Sequence, residues 1–173
     1  TVHVGNRRSG AAVQADRLAR AATGNGRVVK GEGCYNGWHD CVSVGVHPSA
    51  GAVGTHQVES AGIPESSAAN TVGLPFNDPG AVEALFEERG EDIAAVIMEP
   101  MPHSVGCLHP QAEFLERVRA ITESNDVPLI FDEVITGFRH SVNGMQAELG
   151  VTPDLTCLAK AMGNGYPVAA VGG

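Results

Sequence analysis

Apolar residues recur along this chain at two different periods, and the switch between them marks out the elements. Ala11, Ala12, Ala15, Leu18, Ala19 and Ala22 fall on one face at helical spacing, with Arg17 and Arg20 off that face. This predicts an amphipathic helix, stopped near Gly24. Arg27 to Lys30 reads as a short strand, and Gly31 to Asp40 as a glycine-rich turn carrying Tyr35 and Trp38. His47 to Ala69 has no periodicity and is rich in Gly, Ser, Ala and Pro, which predicts a long surface loop. Thr71 to Phe76 is a strand. Asn77-Asp78-Pro79 then opens a helix, with Asp78 as N-cap, Pro79 at the first helical position, and Val82, Leu85 and Phe86 on the buried face. Ile93 to Met98 is continuously apolar and too short for a helix, as a strand buried on both faces is. Phe114, Leu115, Val118 and Ile121 mark another helix. Pro128 then opens the run Leu129-Ile130-Phe131, read as a strand ending at Asp132. After a polar surface turn, Leu155 to Ala159 forms a second short run that ends at Lys160.

Helices alternating with short apolar strands predict an α/β fold, a mostly parallel sheet flanked by helices. No internal repeat and no linker divides the chain. Its 173 residues are enough for one domain with a core. A hydrophobic content of 43% excludes disorder as the default. The net charge of −9 disfavours nucleic acid and anionic membrane surfaces as partners. No apolar run approaches the length of a membrane span, and TVHVGNRRSG lacks a signal-peptide core. Cys34, Cys41, Cys107 and Cys157 have neither CxxC pairing nor zinc spacing. They read as free thiols in a reducing compartment, hence the cytoplasm. No metal site is expected: His103, His109 and His140 share no ligand spacing.

Two residues stand out chemically. Asp132 sits at the carboxyl end of a strand, where open α/β sheets bind ligands. An aspartate following three apolar residues needs a partner to stay charged. Lys160 follows a second apolar run and precedes the glycines of Gly163-Asn164-Gly165. The chain has only two lysines, Lys30 and Lys160, against nine arginines. An amine in a dry site has a lowered pKa, which suits Schiff-base chemistry.

The runs LIFDEVITGFR and GVTPDLTCLAK, with 28 positions between Asp132 and Lys160, resemble the cofactor site of the class III pyridoxal-phosphate aminotransferases. Glutamate-1-semialdehyde aminomutase and its aminotransferase cousins are the most similar branch. The resemblance covers nearly the whole chain, more loosely from about 41 to 69. It implies the core of the large domain of the type I fold, with residues 1–173 as a single partial large domain. It implies pyridoxal 5'-phosphate (PLP) as cofactor, a small-molecule amino donor and acceptor, and a homodimer in a full-length form. By the same resemblance Lys160 holds the cofactor aldehyde as an imine and moves the substrate proton, and Asp132 pairs with the pyridine nitrogen. Val134 packs on one face of the ring and Tyr35, in GCYNGWHD, stacks on the other. Asn36 stands where the family has histidine. Glu99, in IMEPM, matches a Glu-Pro of the family.

The family pattern Asn-Ser-Gly-Thr-Glu-Ala, which holds the cofactor phosphate at a helix N-terminus, aligns with Asn6-Arg7-Arg8-Ser9-Gly10-Ala11. Ser9 can replace the threonine. Arg7 or Arg8 either adds positive charge for the phosphate or blocks a position where glycine allows close approach. The implied function is PLP-dependent amino transfer, as aminotransferase or aminomutase. GVTPDLTCLAK resembles the aminomutase and KAMGNGYP the aminotransferases. The alternative is a non-catalytic remnant with impaired phosphate binding. The 173 residues alone are expected not to turn over.

Overall fold

The computed structural model describes residues 1–173. One sheet organises it, built from β1 (Val2–Gly5), β2 (Arg27–Gly31), β3 (Thr71–Leu74), β4 (Ile93–Met98), β5 (Leu129–Asp132), β6 (Leu155–Leu158) and β7 (Ala169–Gly172). The spatial order is β1-β7-β6-β5-β4-β2-β3. Strands β2 to β6 are parallel to one another, and β7 runs antiparallel to both β6 and β1. The helices α1 (Arg8–Thr23), α2 (Glu65–Ala68), α3 (Pro79–Arg89), α4 (Ala112–Ser124) and α5 (Gly144–Leu149) fill the connections.

Most of the predicted elements are present, for the expected reasons. Gly24 ends α1 in the left-handed region at φ 76°, its N–H bonded to the Arg20 carbonyl. Asp78 caps α3 by accepting from the Ala81 N–H, with Pro79 following it. Every residue of β4 and β5 is buried. Four points differ from the sequence reading. The polar turn after Ser141 contains α5, whose Met145 is buried. The loop from 47 to 69 is mostly exposed but carries α2, and a bridge pairs Val44 with Val58. The first helix begins at Arg8 rather than Ala11. The sheet also gains two strands, β1 and β7.

The two-residue period of the strands divides the core. Val96, Met98, Leu129 and Phe131 pack with α3 and α4 through Val82, Phe86, Phe114, Leu115 and Val118. Ala95, Ile97 and Ile130 face α1, joined there by Cys157, Ala169 and Val171. Ala11, Ala12, Ala15 and Ala19 are almost wholly buried, and small side chains let α1 lie close against the sheet. Asp132 shares the parity of Ile130, so its carboxylate points to the α1 side. That alternation brings the start of α1 and the end of β5 together.

One buried group on that interface is out of place. Asp16 lies within the alanine face at 1% exposure. His39 Nε2 is 3.7 Å from its Oδ2, yet neither side chain makes a hydrogen bond. Burial, opposed by Arg20, pushes the Asp16 carboxyl up to about 7. Burial and the charge of Arg20 push His39 down to about 4. The distance alone suggests an ion pair, but both shifts favour the neutral forms. We read the contact as a neutral pair between those values.

Stability linkage follows with opposite signs. The Asp16 contribution is full below pH 3.8 and is lost as pH rises through about 7; that of His39 is full above 6.5 and is lost as pH falls through about 4. The two nearly cancel across the overlap. Asp16→Asn removes one side of this balance. The variant is expected to gain stability over the parent as pH rises from 4 to 8, by up to about 4 kcal/mol at a cost of ~1.4 kcal/mol per pH unit. Urea unfolding at both pH values checks it; a difference that does not change with pH contradicts the assignment.

Candidate active site

Asp132 ends β5, and its Cα pairs in register with Cys157 of the neighbouring strand β6. Lys160 lies three positions beyond Cys157, in the tight reversal that leads into antiparallel β7. Carboxylate and amine therefore leave the same end of two adjacent parallel strands, the end where such sheets place ligands. Lys160 has φ 45°, a left-handed backbone that costs a non-glycine residue of order 1 kcal/mol. Strain of that kind clusters at functional positions.

The lysine is exposed rather than dry. The turn that aims it out of the sheet also leaves it open to solvent. Its pKa is nonetheless lowered by partial desolvation and by the positive charge of Arg8, against the opposing pull of Glu99 and Asp132.

Asp132 itself is almost fully buried and well supplied with donors. The Val134 N–H donates to Oδ1 at 3.2 Å. Asn36 Nδ2 donates to Oδ2 at 3.1 Å, so the residue standing where the family has histidine touches the aspartate. Arg8 Nε donates to Oδ2 at 2.9 Å, and a terminal guanidinium nitrogen lies 2.9 Å from the same oxygen. The guanidinium carbon sits 4.7 Å from the centroid of the Tyr35 ring. Arg8 thus reaches from the first residue of α1 into the place between Asp132 and Tyr35. Its guanidinium therefore points at the Asp132 carboxylate and the Tyr35 ring.

Glu99 ends the β4 run beside this group. Its Oε1 accepts from the Tyr35 N–H at 2.7 Å and lies 3.7 Å from Arg8. His103 approaches its Oε2 at 3.5 Å without a hydrogen bond. Burial, only partly offset by Arg8, pushes Glu99 up to about 7. Tyr35 is half-buried. Val134 is wholly buried, in the cluster with Ala11, Ala12 and Ala159. The Ser9 hydroxyl accepts the Trp38 N–H at 2.9 Å. A Cβ on Gly37 (φ 116°) would meet the Ser9 Cα at 2.9 Å. That close approach binds the GCYNGWHD turn to the start of α1 and leaves only the hydroxyl's proton free to donate.

Several neighbours had no clear signal in the sequence. Glu133 follows the candidate aspartate but is structural. It accepts from Thr136 Oγ1 and from the Met145 and Gln146 N–H groups, holding α5 against the end of β5. His39 faces Asp16 rather than its sequence neighbour Asp40. Lys30 is the buried lysine, its Nζ bonded to the carbonyls of Gly31 and Cys34, and desolvation lowers its pKa. A groove of about 640 Å³ is lined by Glu133, Phe138, Val142 and Gly172 among others. It does not reach Asp132, Tyr35 or Lys160.

A buried carboxylate and a left-handed lysine thus stand at the carboxyl ends of adjacent parallel strands, the end where open α/β sheets bind ligands. The family model for the class III aminotransferases matches residues 3–173. Glutamate-1-semialdehyde 2,1-aminomutase 2 of Bacillus licheniformis is 46% identical over 163 residues, which are 94% of this chain and 37% of that protein. An omega-transaminase from Sphaerobacter thermophilus superposes with a TM-score of 0.93 at 40% identity, over 100% of this chain and 40% of that one. A transaminase with PLP bound superposes with a TM-score of 0.92 at 31% identity, again over 100% and 40%. The chain belongs to the class III aminotransferase family. Its mixed seven-stranded sheet is the α/β fold of the PLP-dependent type I enzymes. It spans about two-fifths of the length of these relatives. No helix is long and apolar enough to cross a membrane.

Proposed function

We propose that residues 1–173 are a single, partial large domain that binds PLP, and that they belong to an aminotransferase or aminomutase. The observation that carries this reading is the placement of Asp132 and Lys160 at one end of the adjacent strands β5 and β6, with the lysine in a left-handed backbone. The residues fit the cofactor in kind. When bound, PLP supplies an electrophilic carbonyl and a ring that accepts electrons. Lys160 would hold the cofactor covalently, then take and return the substrate proton. Its lowered pKa enlarges the neutral fraction available for both tasks. Asp132, fixed by Val134 N–H and Asn36, would keep a ring nitrogen protonated. Tyr35 and Val134 would line the two ring faces. Ser9 and the free N–H groups at the start of α1 would meet the phosphate. The substrates are a small amine donor and a carbonyl acceptor.

A second reading, a remnant that no longer holds the cofactor, is favoured by one observation. Arg8 already occupies the Asp132 carboxylate and the Tyr35 face. Titration of the purified chain with PLP separates the two. The first reading predicts a saturable visible absorption band that borohydride bleaches; no band at any concentration supports the remnant.

The assembly proposed is a homodimer. It is the assembly of a full-length form; Val2, Val142 and Tyr166 are 66%, 82% and 79% exposed here, apolar side chains that another chain segment can cover. Light scattering on a full-length form tests this, and a monodisperse monomer would contradict it. The four cysteines are free, which supports a reducing, cytoplasmic location. Turnover is not expected from these residues alone, because the exposed Lys160 leaves a substrate unpositioned.

A further inference from the structure

We propose that Arg8 is an internal competitor for the cofactor: its guanidinium and the protonated pyridine ring exclude each other at the Asp132 carboxylate and the Tyr35 face, so that loading requires the Arg8–Asp132 pair to open. This rests on the reading of the site as a PLP pocket and concerns what holds that pocket before the cofactor arrives.

The seat selects its occupant by shape and charge. A buried carboxylate beside an aromatic face favours a flat cation that donates in its own plane and offers a face to the ring. Guanidinium and pyridinium both answer that description. In this chain the guanidinium is tethered to the first turn of α1 and is already in place. Nε donates to Asp132 Oδ2 at 2.9 Å, and the guanidinium carbon is 4.7 Å from the Tyr35 centroid. The carboxylate has little capacity left. Oδ2 takes Arg8 and Asn36, and Oδ1 takes the Val134 N–H. A ring nitrogen approaching Oδ2 must displace a donor, and Arg8 is the one that also covers the Tyr35 face.

The occupation is imperfect, and that makes it reversible. One terminal nitrogen of Arg8 is buried with no well-formed hydrogen bond, as is Glu99 Oε2. That Arg8 nitrogen lies 2.9 Å from Asp132 Oδ2 but is misaligned for a hydrogen bond, and its 3.7 Å from Glu99 Oε1 is too long for a second one. The side chain retains 11% exposure, so a route outward exists. The sequence places an arginine where the related motif has glycine, which carries no side chain to contest the seat. Arg8 therefore sets the threshold for cofactor binding.

The test compares the parent chain with Arg8→Gly and Arg8→Met, the second keeping an apolar stem without charge. PLP affinity and loading rate are read from the visible band, and circular dichroism establishes folding. If Arg8→Gly fails to fold, Arg8→Met carries the comparison. Both variants are expected to bind PLP at least about tenfold tighter than the parent and to load faster. Millimolar methylguanidinium should slow loading in Arg8→Gly by refilling the vacated seat, and methylammonium at equal ionic strength should not. Equal affinity in parent and variants overturns the inference while leaving the PLP reading intact. Weaker binding in the variants overturns it too and makes Arg8 a phosphate ligand. If neither parent nor variants bind, the inference and the PLP reading both fall.

Discussion

Replacing Lys160 by alanine is expected to abolish covalent attachment of PLP. In a longer form of the protein that turns over, it should lower the half-reaction with an amino donor by about three to four orders of magnitude, the scale of a lost proton-transfer group. The other lysine of these residues cannot substitute. Lys30 is buried, with its Nζ on the carbonyls of Gly31 and Cys34. It lies on β2, separated from β6 by β4 and β5. The fold should survive the change, because Lys160 is exposed and makes no packing contact within either core cluster. A Lys160→Ala protein that keeps a borohydride-reducible band would show that the lysine has been assigned wrongly.

Asp132→Asn should separate binding from chemistry. The covalent link to Lys160 remains possible. An amide does not balance a protonated ring as a carboxylate does, so exchange of the substrate α-proton should fall by about two to three orders of magnitude. The same change also strikes the protein without cofactor. It leaves the mostly buried Arg8 guanidinium without its main anion, at a cost of about 3 kcal/mol. That second effect should largely vanish in an Arg8→Gly background, so a double-mutant cycle reads the Arg8–Asp132 coupling directly. An Asn variant that exchanges protons at the parental rate would rule out Asp132 as the ring partner. Stability unchanged in the parental background would instead contradict the ion pair.

How far the sequence reaches depends on the distance over which each signal acts. Asp78 and Pro79 announced the start of α3, and the runs 93–98 and 129–131 announced β4 and β5. Those signals are local and need no partner to be read. β1 and β7 had weaker patterns. Val2 and Val4 are 66% and 68% exposed, so β1 has no buried stripe to betray it. β7 is a short run of small residues, Ala169-Ala170-Val171-Gly172. The carboxyl-end position of Asp132 was readable from its own strand. Its neighbours were not, because Asn36 and Arg8 are 96 and 124 positions away. Lys160 was expected in a dry setting from its apolar flanks. The reversal into β7 turns it outward instead; Gly163-Asn164-Gly165 marks the turn but not the direction in which Lys160 is aimed. The pairing of Asp16 with His39 arises from packing α1 on the sheet and has no signature along the chain.

The central claim is that this chain holds PLP through Lys160 at the end of β6. Borohydride reduction of the PLP-loaded protein, followed by peptide mapping, addresses it directly. The account predicts one phosphopyridoxyl label, on the peptide containing Lys160, and none on that containing Lys30. Label confined to Lys30 or to the amino terminus, or saturable cofactor binding with no label on Lys160, would contradict it.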